Sequence, residues 1–140
     1  MSWLVANGRV LASAEVAESR HERTKGLLGR DGLEGALVLT RCRWVHTIGM
    51  RFAIDVAHLD EFGVVVRTTT MHRHRVGMPV WRARTVIEAS AGAFGRWGLC
   101  VGDVVEVRHV GDQPGPNPPV QEHRASPTGN LRRAELVAAG

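Results

Sequence analysis

The chain divides its apolar residues into short runs, each closed by turn-forming residues, and this leaves room for little but strands. Trp3–Ala6 and Arg9–Val16 are apolar-rich and are separated by Asn7-Gly8. That dipeptide takes the positive φ angles of a type I′ turn at low cost, so the pair is predicted to form a β-hairpin. Ala36–Thr40 is a brief apolar run bounded by polar residues and reads as a buried strand. Asp55–Leu59 and Val64–Val66 flank Asp60-Glu61-Phe62-Gly63 and form a second hairpin, with Gly63 free to take a left-handed turn position. Arg82–Ala89 returns as a strand. Period-two alternation puts Arg82, Arg84, Val86 and Glu88 on one face, and Ala83, Thr85 and Ile87 on the other. Gly102-Asp103 introduces a last strand, Val104–Val110.

Helical signals are few. Ser19-Arg20-His21-Glu22 fits a capping box, in which the Ser19 hydroxyl accepts from the Glu22 amide and the Glu22 carboxylate reaches back to Ser19. It predicts a helix over Arg20–Leu28 with Gly29 near its end. Ser90 is expected to cap a single turn through Phe94, broken by Gly95 and Gly98. Residues 44–52 read as irregular, with Gly49 marking a bend, and His72–Pro79 as a loop. The sum is a mainly β, small single-domain fold: a β-sandwich of jelly-roll character or a partly closed barrel, with one or two short helices.

A length of 140 residues suits one domain. Five of the six prolines fall between Pro114 and Pro127, among Gly, Asn, Ser and Gln. Such a segment cannot bury enough apolar area to offset its ordering entropy. The expected division is therefore a folded domain over residues 1–110 and a disordered Pro/Gly-rich tail over 111–140. Cys42 and Cys100 lack the paired spacing of a zinc site and read as buried free thiols. The first eight residues carry neither the basic nor the apolar region of a signal peptide, and no stretch approaches a membrane span. A soluble, cytoplasmic protein is the expectation.

The segment His46-Thr47-Ile48-Gly49-Met50-Arg51-Phe52-Ala53-Ile54-Asp55 resembles the central motif of an uncharacterised bacterial and archaeal family, domain-of-unknown-function family 192. Gly26-Leu27-Leu28-Gly29-Arg30 is similar to that family's early helix and terminal arginine. Ala83-Arg84-Thr85-Val86-Ile87-Glu88 is similar to its alanine-to-glutamate strand, and Gly98-Leu99-Cys100-Val101-Gly102-Asp103 to its closing turn. The departures are Leu28 where methionine is common and Ala53 where proline is common. The resemblance spans roughly residues 10–108. It implies a jelly-roll-like β-sandwich and no reaction, because fold alone does not confer one.

Two groups of residues are candidates for function. The first is Arg30, His46, Thr47, Met50, Arg51, Asp55 and Glu88, a ligand-binding set in which arginines would anchor an anionic or hydroxylated group and carboxylates orient it. A histidine with two carboxylates is also the minimum kit for acid–base chemistry, so a hydrolase using His46 is a lesser alternative. The same residues would serve as scaffolding if Arg30 or Arg51 paired with Asp55 or Glu88. The second group is basic. No acidic residue lies between Glu61 and Glu88, yet five of the chain's arginines do. Arg67, Arg73, Arg75, Arg82 and Arg84, with Trp81, could dock an acidic protein or, less favoured at a net charge of only +4, nucleic acid. His72-x-His74 has the spacing of two metal ligands on a strand, but Arg75-Val76-Gly77-Met78 follows without the glutamate such motifs continue into, so no metal and no cofactor is expected. Trp44, Trp81 and Trp97 could stack a sugar or simply fill the core. The leading expectation is a non-catalytic binding domain with a small-ligand or carbohydrate-like site around His46–Asp55.

Overall fold

The computed structural model describes residues 1–111. Seven strands run β1 Ser2–Ala6, β2 Arg9–Ala17, β3 Ala36–Thr40, β4 Ile54–Leu59, β5 Val65–Met71, β6 Thr85–Ser90 and β7 Val105–His109. Two short helices, α1 Arg20–Lys25 and α2 Ala93–Trp97, lie between them. The strands form one sheet in the order β5-β4-β6-β3-β2-β1-β7. Every pairing is antiparallel except β2 with β3, which is parallel because the chain crosses over through α1. The sheet does not close by a continuous ladder. Its two outer strands are joined instead at their ends, by the Val64–Val104 bridge and the hydrogen bonds around it: the Val65 amide donates to the Asp103 carbonyl at 2.9 Å, the Val105 amide to the Gly63 carbonyl at 2.9 Å and the Gly102 amide to the Val65 carbonyl at 2.8 Å.

The hairpin signal of Asn7-Gly8 is realised with φ of 53° and 73°, and it joins β1 to β2. The capping box at Ser19 is also formed: the Glu22 amide donates to Ser19 Oγ at 3.1 Å, and the Ser19 amide to Glu22 Oε2 at 2.9 Å. The helix, however, ends at Lys25 rather than Leu28, because Gly26 turns the chain and lets Leu27 enter the core at 2% exposure. Burial of a leucine side chain contributes about 1.5–3 kcal/mol, more than three further helical residues would.

The curved sheet has a core on each face. Leu4, Val38, Ala57, Leu59, Ile87 and Phe94 belong to one. Leu27, Leu37, Leu39, Met50, Ile54, Val56, Met71 and Val86 form the other, under α1 and the segments on either side of β4 and β6. Both faces of the central strands are thus covered, and every residue of β4 is buried. The predicted tail over 111–140 lies outside the described residues apart from its first residue.

Candidate functional site

Residues 43–47 and 75–80 leave the sheet and run antiparallel to each other, making a cap over the second face. The Thr47 amide donates to the Arg75 carbonyl at 2.8 Å, and the Gly77 amide to the Val45 carbonyl at 2.9 Å. Thr47, fully buried, ties the two segments: its hydroxyl donates to the His72 carbonyl at 2.6 Å and accepts from the Arg75 amide at 2.8 Å. At Gly77 the segments are so close that a Cβ would stand 2.8 Å from the Val45 carbonyl oxygen. Trp44 Nε1 adds a bond to the Gly77 carbonyl at 2.8 Å.

Between this cap and strands β4 and β5 lies a cavity of about 280 Å³. Its floor is His58. Alternation along β4 places Ile54, Val56 and His58 toward the cap, whereas Asp55, Ala57 and Leu59 face the opposite core. Opposite His58 on β5 stands Arg67, followed two residues on by Thr69, and both also line the cavity. The cap supplies Arg75, Val76 and Met78. The His58 ring is 5% exposed, and neither of its nitrogens has a hydrogen-bond partner among the described residues. Burial, and then the Arg67 charge, push its pKa below the ordinary histidine value, so the ring is neutral at pH 7.

A smaller cavity, of about 60 Å³, lies on the same face beneath α1. Glu88 reaches it from β6, where Leu37 and Val56 are its cross-strand neighbours. The carboxyl is 4% exposed and makes no hydrogen bond or ion pair among the described residues; burial raises its pKa to about 7. Cys42, His46 and Met50 line the same space. Both cysteines are free, but neither is buried as expected: Cys42 is half-buried at this cavity and Cys100 is exposed in the turn before β7.

The first candidate set is therefore divided. His46, Met50 and Glu88 come together at the smaller cavity, and Thr47 is the knot of the cap between the two segments. Asp55 faces the other side of the sheet. Its carboxylate accepts from the Gly92 amide at 2.9 Å, the Phe94 amide at 3.1 Å and the Thr70 hydroxyl at 2.8 Å. It, and not Ser90, anchors the start of α2; the Ser90 hydroxyl donates to the Leu33 carbonyl instead. Arg30 pairs with Glu15 at 2.6 Å and Arg51 with Asp31 at 2.9 Å, both at the surface, so neither reaches Asp55 or Glu88.

Of the basic residues, Arg67 and Arg75 line the larger cavity, whereas Arg73, Arg82, Arg84 and Trp81 do not. All five arginines are exposed, and none forms an ion pair among the described residues. His74 Nδ1 accepts from the Gly49 amide at 3.3 Å. Among the described residues no three His, Cys, Asp or Glu side chains converge as metal ligands, and no helix is long and apolar enough to cross a membrane. His58 is the residue that composition and motif leave out of both candidate sets. Its signal is a polar ring in an otherwise apolar alternation, Ile54-x-Val56-x-His58.

The model of the family DUF192, described as uncharacterized ACR, matches residues 3–107. None of the curated proteins matches the chain. Two solved structures share the fold. One is a protein of unknown function from Novosphingobium aromaticivorans, 19% identical, with a TM-score of 0.63 over 75% of this chain and 82% of that one. The other, from Sinorhizobium meliloti, is described as a candidate transcription regulator and is 20% identical, with a TM-score of 0.64 over 76% of this chain and 91% of that one.

Proposed function

We propose that this chain, which belongs to the DUF192 family, is a non-catalytic binding domain that takes a small polar ligand in the cavity between the cap and β4–β5. The observation that carries this reading is His58. A buried polar group without a partner costs about 1–3 kcal/mol, and an apolar residue at this strand position would avoid that cost. The ring lies against the cavity, beside two exposed arginines, with its nitrogens closed off from solvent, so a ligand entering there gains their polar contacts by a turn of the ring. The expected segment His46–Asp55 contributes by building the cap through Thr47, while Asp55 serves the opposite face.

The test is a melting-temperature screen of the full chain against sugars, small organic acids, nucleotides, divalent metals and polyanions, at low and moderate salt. Ligand at 100 times its dissociation constant adds about 2.7 kcal/mol, several degrees for a domain of this size. The expected result is a shift from a small molecule that disappears in His58→Phe. A shift that survives His58→Phe would place the binding elsewhere.

A second reading rests on the outer surface of the cap. Trp81 is 75% exposed and is accompanied by Arg73, Arg82 and Arg84 without acidic neighbours in sequence. Apolar and arginine side chains together favour an acidic protein partner. That reading requires binding of polyglutamate that falls steeply with salt and is lost in Arg73→Glu plus Arg82→Glu. Binding indifferent to both removes it.

A further inference from the structure

Apart from the cavity under the cap, we infer that the smaller cavity beneath α1 is a second site, which holds the ammonium head of a primary amine against the Glu88 carboxylate. Val45 is the one residue that lines both cavities. Glu88 is 4% exposed and hydrogen-bonds to nothing among the described residues. Its oxygens, unlike the His58 nitrogens, are not sealed from a water-sized molecule, and they open on this cavity. A buried carboxylate is stable only when a partner compensates its charge. No described side chain does so. Arg23 and Lys25 of α1 line the same cavity, but neither pairs with Glu88, and the Arg23 guanidinium donates to the Glu18 carbonyl instead.

The other polar groups lining this cavity already have partners. The Cys42 thiol donates to the Trp44 carbonyl at 3.3 Å, the Thr24 hydroxyl to the Arg20 carbonyl at 2.8 Å, and His46 Nδ1 accepts from the Ile48 amide at 3.3 Å. Glu88 is the one acid facing the space, so the complementary ligand is positively charged. A divalent metal is poorly served, because no three His, Cys, Asp or Glu side chains converge as ligands among the described residues. An ammonium needs no such cage: it is a compact charge with three N–H donors of its own. An amide or a hydroxyl also donates to a carboxyl, but it brings no charge and so does not drive Glu88 to ionise. Size narrows the class further. One water needs about 10–15 Å³ of such space, so the cavity of about 60 Å³ holds roughly four water-sized groups. That fits an ammonium on a short alkyl stem and is short of a tetramethylammonium ion. Leu28, Leu39 and Met50 give the stem an apolar wall.

The experiment is an NMR titration of the full chain at constant ionic strength, read on the Met50 methyl group, with methylammonium, tetramethylammonium and acetamide as probes. At pH 8 methylammonium is expected to saturate and to bind at least tenfold more tightly than either of the others. Glu88→Gln should weaken it tenfold or more. Because burial raises the Glu88 pKa to about 7 and the ammonium binds the ionised form, affinity should also rise about tenfold from pH 6 to pH 8. The other titratable or charged groups facing the cavity are Arg23, Lys25, His46 and Cys42, whose thiol burial keeps protonated over this range. His46→Gln should therefore keep the pH dependence. That dependence is read on the parent chain, so it tests the site even if a variant fails to fold. Butylammonium and Nα-acetyl-lysine amide distinguish the sources: tighter binding of the first assigns a free alkylamine, tighter binding of the second a lysine side chain, and both keep the ammonium site. Methylammonium that does not saturate, that binds as well to Glu88→Gln, or whose affinity is the same at pH 6 and pH 8 overturns the proposal. Acetamide or tetramethylammonium binding as tightly as methylammonium overturns it too.

Discussion

Replacing Glu88 with glutamine gives the sharpest energetic consequence of the second core. The carboxyl sits between Leu37 and Val56 in the sheet, with no donor to stabilise its charge among the described residues. Burial alone raises its pKa from 4.5 to about 7. A carboxyl that holds its proton more tightly in the folded state stabilises the fold most in acid. That contribution is lost as pH rises from 4.5 toward 7 and stays lost above it. At about 1.36 kcal/mol per unit, the gap is worth about 3 kcal/mol. Glutamine has nearly the same shape and never ionises, so Glu88→Gln removes this pH dependence; the one neighbour it also touches is Cys42, whose thiol pKa is raised first by burial and further by the Glu88 charge. Urea denaturation at pH 4.5 and pH 8.5, done in a Cys42→Ala background to remove the coupled thiol, isolates the effect, because the remaining titrating groups cancel in the difference between the two proteins. The variant's stability relative to the parent is expected to rise by about 3 kcal/mol between the two pH values, roughly 10 °C or more in melting temperature. A difference that stays constant across this range would refute the claim that Glu88 is buried without a compensating partner.

Asp55→Ala removes the acceptor of three hydrogen bonds and frees the start of α2, and is expected to cost roughly 3 kcal/mol in urea denaturation. Because Asp55 faces away from the cap, ligand affinity measured on the remaining folded protein should be unchanged. Thr47→Val keeps the shape but leaves the Arg75 amide and His72 carbonyl without their shared partner. About 2 kcal/mol of stability should be lost, and the Arg75 and Gly77 amides should exchange with solvent faster than those of β3.

Much of the fold is legible in the sequence wherever a local signal decides it. Asn7-Gly8 and Ser19–Glu22 each specify a turn or cap through their own backbone chemistry, and the structure realises both. Local signals fail where a distant residue makes the decision. β5 runs on to Met71, past the apolar Val64–Val66, because Arg67–Thr70 pair with β4 although their own pattern is polar. α2 starts at Ala93 rather than after Ser90, because its amides are held by Asp55 from β4. The strand expected from Arg82 begins at Thr85, since the Ala83 amide is drawn into a turn by the Val80 carbonyl at 2.9 Å. Alternation alone puts Asp55 and His58 on opposite faces of β4. It does not say which face the 43–47 and 75–80 segments cover, and that choice sets His58 against the cavity under the cap and leaves Asp55 at a separate cleft of about 360 Å³ beside α2.

The His58 ring has no hydrogen-bond partner among the described residues and, on the function proposed above, gains one from a ligand in the cavity. Two-bond ¹H–¹⁵N correlation of the histidine rings, recorded from pH 5 to 8 with and without the ligand that emerges from the melting screen, tests it most directly. His58 is expected to stay neutral below the ordinary histidine value in the free protein, and its ring nitrogens to shift when the ligand binds while those of His21 and His109 do not. A His58 ring that is protonated at pH 7, or that is unmoved by a saturating ligand, would contradict it.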